Sequence, residues 1–139
     1  QWSEVSRHYG GSSSFRHFSL AMAEQCLRGE ELRARHQAAL LKLRKKALQE
    51  KARAELAWLG HQKRCLENLE DSKGASAMAA RQRRVLKELR QEQAEILHLQ
   101  NMYRAAHQER KLLLKQQREI LMMQDSTAQL QAKMHNLAE

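Results

Sequence analysis

Proline is missing from this chain of 139 residues, and only five glycines punctuate it. Proline is the strongest breaker of a helix interior, so nothing of that kind limits helix length. Four of the glycines, Gly10, Gly11, Gly29 and Gly74, fall near an end or an interruption of the pattern. Aromatic residues are equally scarce at six. A two-layer core normally uses more large side chains, so the expected core is a narrow seam between helices. The two cysteines, Cys26 and Cys65, have no CxxC spacing. That excludes a disulfide framework or a zinc ribbon and fits ordinary thiols of a reducing compartment. No apolar run approaches the roughly 18 residues of a membrane span, and no signal peptide opens the chain. A soluble, intracellular chain is therefore expected, and a start at Gln1 rather than Met suggests a segment of a longer protein.

What remains is Leu, Ala, Glu, Gln, Lys and Arg, the composition of long helices. The expected fold class is all-α: two long helices forming an antiparallel coiled-coil hairpin, with an irregular N-terminal leader. Residues 1–14 contain "GGSSS", breaker chemistry, with Trp2 and Tyr9 as aromatic docking anchors. A first helix is expected over 15–70, a turn over 71–76 and a second helix over 77–138. In the turn, Gly74 suits a left-handed closing position and Ser76 an N-cap. A short connection favours antiparallel neighbours.

The first helix carries two apolar stripes. One includes Leu32, Leu40, Leu43, Ala54, Trp58 and Leu69; beside it run Leu41, Leu48, Ala52, Leu56, Leu59 and Leu66. A face that broad can contact two neighbours. Trp58 is expected in the hairpin seam, opposite Leu86 to Leu89. In the second helix a heptad runs from Val85 through Leu89, Ile96, Leu99 and Tyr103 to Leu113. After a three-residue step it resumes as Gln116, Ile120, Met123, Thr127, Leu130, Met134 and Leu137. At 1.5 Å per residue the helices would be roughly 80 and 90 Å long, leaving an overhang. Ile120, Met123, Leu130 and Met134 are therefore expected to dock a partner coiled coil.

Charge is lopsided, with 25 Lys and Arg against 16 Asp and Glu, a net charge of +9. The basic residues cluster at Lys42, Arg44, Lys45, Lys46, Lys51 and Arg53, and again at Arg81, Arg83, Arg84 and Lys87. A weaker group contains Arg110, Lys111, Lys115 and Arg118. Folded together, the first two clusters would form one positive strip for an acidic surface. Nucleic acid is disfavoured because no aromatics interleave the clusters for base stacking. A membrane surface is disfavoured because no Trp/Phe-rich face opposes the basic one. His61 and Cys65, four apart, are the one pair spaced like metal ligands, and further ligands are missing from their neighbourhood. No phosphate loop, serine elbow or paired-carboxylate motif occurs. No enzyme, cofactor, metal or small-molecule substrate is expected.

The stretch "EELRARHQAALLKLRKKALQEKARAELAWLGHQKR", Glu30 to Arg64, resembles a segment of the centrosome-associated protein 350 family and of a smaller coiled-coil paralogue. The likeness resumes at "RQRRVLKELRQEQAEILHLQ" and "ERKLLLKQQREI" and spans roughly residues 18 to 137. The resemblance implies a cytoskeletal scaffold at centrosomes, basal bodies or the axoneme of a cilium or flagellum. Its implied partners are tubulin or microtubules and other centrosomal or axonemal coiled coils. The glycine-rich microtubule-binding domain known at the end of the large family members has no counterpart in this sequence. The family motif carries no residue-level role over, so the basic clusters are microtubule-binding candidates on charge alone.

Overall fold

A computed structural model describes residues 13–138, all but three of them helical. Helix α1 spans Ser13–Asn68 and helix α2 spans Ser72–Ala138. The two pack antiparallel as a helical hairpin, the expected fold class. Trp2, Tyr9 and the rest of the expected leader up to residue 12 lie outside the described residues.

The turn is shorter than expected and built from other residues. It occupies Leu69, Glu70 and Asp71, while Gly74 and Ser76 are inside α2. Glu70, not Gly74, takes the left-handed conformation, with φ 61°. The Asp71 amide donates to the Leu66 carbonyl at 2.9 Å, and the Glu70 amide to that of Glu67 at 3.0 Å. These are the two bonds of a Schellman termination, which satisfies the last carbonyls of α1. Asp71 then caps α2: its Oδ1 accepts the Gly74 amide at 2.9 Å, and its carbonyl accepts the Ala75 amide at 3.0 Å. A Cβ at Gly74 would stand 2.6 Å from Asp71 Oδ2, so glycine there makes room for the capping carboxylate. Ser76 is not needed as a cap because Asp71 already answers the orphan amides.

Two substitutions test this turn. Asp71→Ala should lower stability by about 1 kcal/mol through loss of the cap. Glu70→Gly should raise it by about 1 kcal/mol, because glycine has no side chain to clash in the left-handed region. Thermal unfolding followed by circular dichroism reads both, and a destabilised Glu70→Gly protein would contradict the geometry.

The early turn shifts the pairing register. Arg81 lies over the Trp58 ring, 6.0 Å from its centroid, and Gln82 approaches Gly60. Trp58 therefore faces Arg81 rather than Leu86 to Leu89. It is also not a seam residue, being 54% exposed. Of the two stripes on α1, the buried one is the second: Leu41, Ala52 and Leu59 are core, and Leu48, Leu56 and Leu66 are half-buried. Leu32, Leu40, Leu43, Trp58 and Leu69 are exposed.

The chain forms two compact units. The turn unit comprises residues 36–103. Its core is Leu41, Ala52, Leu59, Ala75 and Ile96, with Ile96 fully buried. The terminal unit pairs described residues 13–35 with 104–138. Its buried residues are Ala23 and the carboxylate Glu30. On α2 the expected heptad follows the burial as far as Arg110, apart from the exposed Tyr103, and there the two part. The less exposed positions continue as Arg110, Leu114, Arg118, Leu121, Asp125 and Ala128. Two successive steps of four replace the expected step of three. A strict heptad lags behind a helix of 3.6 residues per turn, and a lengthened step restores the seam to the facing side. Ile120, Met123, Leu130, Met134 and Leu137 thus lie off the seam and are exposed.

Candidate functional site

The turn unit has two unlike edges along its helix–helix seam. One carries two grooves of about 380 Å³ each that share Gln49 and Gln93. Their linings include Lys45, Arg53, Leu97 and Gln100 and contain no carboxylate. Residues seven apart on a helix share a face. Lys46 sits seven before Arg53, Lys42 seven before Gln49, and Arg90 seven before Leu97, with Arg83 a further seven back. Lys42, Lys45, Lys46 and Arg53 from α1 thereby join Arg83 and Arg90 from α2 on one edge, acid-free in its grooves, with the exposed Glu50, four after Lys46, at its outer margin.

The opposite edge is mixed. Its groove is lined by Lys51 together with Glu55, Glu88 and Glu92. Arg44 is seven before Lys51, and Trp58 seven after it. Arg81, seven before Glu88, stacks on Trp58 from this side. Arg84, four before Glu88, shares this face. Of the ten sequence candidates for an acidic surface, five therefore gather on the acid-free edge, Lys42, Lys45, Lys46, Arg53 and Arg83. Arg44, Lys51, Arg81 and Arg84 fall among glutamates, and Lys87, four after Arg83, is exposed and lines none of these grooves. Arg90 was not among the candidates. Its signal is the seven-residue spacing from Arg83, which becomes informative only once the register is known.

The terminal unit holds a cluster of paired charges. Arg110 Nε donates to Glu30 Oε1 at 2.7 Å, and His107 Nδ1 lies 3.1 Å from the same oxygen. Burial disfavours the Glu30 carboxylate, but the bonds from Arg110 and His107 and the charges of Arg110 and Arg33 outweigh it and hold its pKa below the usual value. Lys111 Nζ sits 2.6 Å from Glu31 Oε1, and this bond draws the Glu31 pKa down as well. Farther along, Arg16 Nε donates to Asp125 Oδ1 at 2.9 Å. These contacts tie α1 to α2 where large apolar side chains are few.

Apolar side chains also reach the surface. Leu40, Leu43 and Trp58 form an exposed stripe on α1, and Ile120, Met123, Leu130 and Met134 are exposed on α2. From Gln129 to Ala138 every residue is exposed. His61 Nε2 and Cys65 Sγ are 3.7 Å apart, yet among the described residues no group of three His, Cys, Asp or Glu is placed to hold a metal. No described helix is long and apolar enough to cross a membrane.

Fold and surfaces define a class of protein: an all-α helical hairpin that presents charged edges and apolar stripes. Within that class the chain is homologous to a segment of centrosome-associated protein 350. It is 45% identical to that protein from Mus musculus over 130 residues, 94% of this chain. The chain spans 4% of the length of that relative. No family model matches the chain, and no solved structure matches it.

Proposed function

We propose that this chain is a structural element of a centrosomal assembly, lying with its acid-free edge against the acidic surface of tubulin. The homology to a centrosome-associated protein supports the setting. One structural observation carries the tubulin reading: Lys45 and Arg53 line grooves that hold no carboxylate, and helical spacing sets Lys42, Lys46, Arg83 and Arg90 along the same edge. A merely solubilising surface interleaves both signs, as the opposite edge of the same unit does. An uncompensated row of cations attracts a polyanionic filament, and the attraction weakens with salt. The same chemistry would serve at a basal body or along a ciliary or flagellar axoneme.

Cosedimentation with microtubules at low and moderate ionic strength tests the proposal. Charge reversal on the acid-free edge is compared with an equal reversal on the mixed edge.

A second reading is a scaffold that recruits other centrosomal coiled coils without touching microtubules. It is favoured by the exposed stripe of Leu40, Leu43 and Trp58 and by Ile120, Met123, Leu130 and Met134 on α2. Partner binding that survives loss of the basic edge, with no microtubule binding by the intact chain at low salt, would make this the function.

A further inference from the structure

A fourth groove, of about 540 Å³, lies wholly within the terminal unit. Five cations line it: Arg28 and Arg35 from α1, Lys111, Lys115 and Arg118 from α2. The rest of its lining is Leu27, Leu32 and a single acid, Glu31. Lys111 already neutralises Glu31 at 2.6 Å, and Arg28 is turned toward Gln25 at 2.9 Å. Lys115 and Arg118 have no such partner, and Arg35 shares only the field of Glu31, four residues before it. Arg118 goes further, because its Nε is buried and makes no hydrogen bond. A buried donor left unpaired is destabilising. A planar guanidinium is the group suited to a carboxylate held by two parallel bonds.

We infer that this groove is a docking site for an acidic peptide segment carrying an aliphatic side chain. One carboxylate pairs with the outer guanidinium nitrogens of Arg118, and neighbouring ones meet Lys115 and Arg35. The aliphatic side chain lies on Leu27 and Leu32, which mineral phosphate or a featureless polyanion would leave uncovered. A second copy of this groove is excluded as occupant, since it would set cations against cations. The site is separate from the acid-free edge of the turn unit, and the inference does not rest on the tubulin reading.

The probe is a fluorescein-labelled 12-residue peptide of glutamate and serine around one central leucine, titrated with the full chain and read by anisotropy. Saturable 1:1 binding is expected, weakened at least fivefold by Lys115→Gln with Arg118→Gln. Arg35→Gln alone, at an exposed position, should weaken it two- to threefold, which keeps the test decisive should the double variant lose helicity. Arg44→Gln with Arg84→Gln, exposed positions on the mixed edge of the turn unit, should leave it unchanged. Replacing the leucine of the probe by glycine should weaken binding several-fold. Equal loss with both double variants would reduce the effect to unspecific charge and overturn the inference. So would an indifferent leucine, which would mean a simple anion site, or the absence of binding at low salt.

Discussion

Reversing Lys45, Lys46 and Arg83 to glutamate should weaken microtubule cosedimentation at least tenfold at low salt. Reversing Arg44, Lys51 and Arg84 should change it less than about threefold. Both triple variants lower the net charge by the same amount, so long-range attraction by total charge is matched. What differs is the edge. Lys45 lines an acid-free groove, and Lys46 and Arg83 fall on the same edge by helical spacing. Lys51 lines a groove with three glutamates, where its field is already offset. Exposed charges contribute about 0.5 kcal/mol each, and somewhat more when several act on one polyanion. Three lost attractions turned into three repulsions therefore exceed the roughly 1.4 kcal/mol of a tenfold change. All six positions except Arg83 and Arg84 are on α1, and all six are exposed, so helicity should be retained. Equal losses in both variants would mean that net charge, not the edge, attracts the filament. No loss in either would remove direct tubulin contact from the account.

Glu30→Ala should lower stability by about 2 kcal/mol, roughly 5–10 °C in Tm. Glu30 is 8% exposed and accepts from both Arg110 and His107. Its removal takes the acceptor from two cross-helix partners and leaves a void in place of a carboxylate. The loss stays below that of a fully buried ion pair because the Arg110 side chain, 35% exposed, can turn to water. Glu24→Ala, removing a loose pair with Arg28 at 4.0 Å on the exposed face, should cost less than about 0.5 kcal/mol.

The same carboxylate dictates the response to acid. Its pKa in the folded chain lies below the unfolded value of about 4.5. The contribution is therefore complete above pH 4.5 and fades as pH falls through the lower, folded value. Wild-type stability should drop over that window, and the Glu30→Ala protein should drop less. Parallel acid profiles for the two proteins would show that Glu30 is not the group responsible.

Composition and periodicity alone determined that the chain is helical, that it turns once near residue 70, and that two apolar stripes run along the first helix. Those follow from local physics: no proline, good helix formers, apolar residues three and four apart. Which stripe would be buried was not decided locally, because Leu40 and Leu41 are equally greasy and lie on adjacent faces of the helix. The register chose, and the register was set by Glu70 entering the left-handed region and Asp71 capping α2, a few residues earlier than glycine and serine statistics indicate. In the terminal half of α2 a heptad with one three-residue step after Leu113 led to Ile120 and Met123, but the seam followed Leu114, Arg118 and Leu121. Polar residues such as Glu30 and Arg110 occupy the interface there, and hydrophobicity is a poor guide where ion pairs make the contacts. The basic clusters were legible as clusters. That Lys46 and Arg83 share an edge while Lys51 faces glutamates depends on two helices meeting, which only the folded pair could decide.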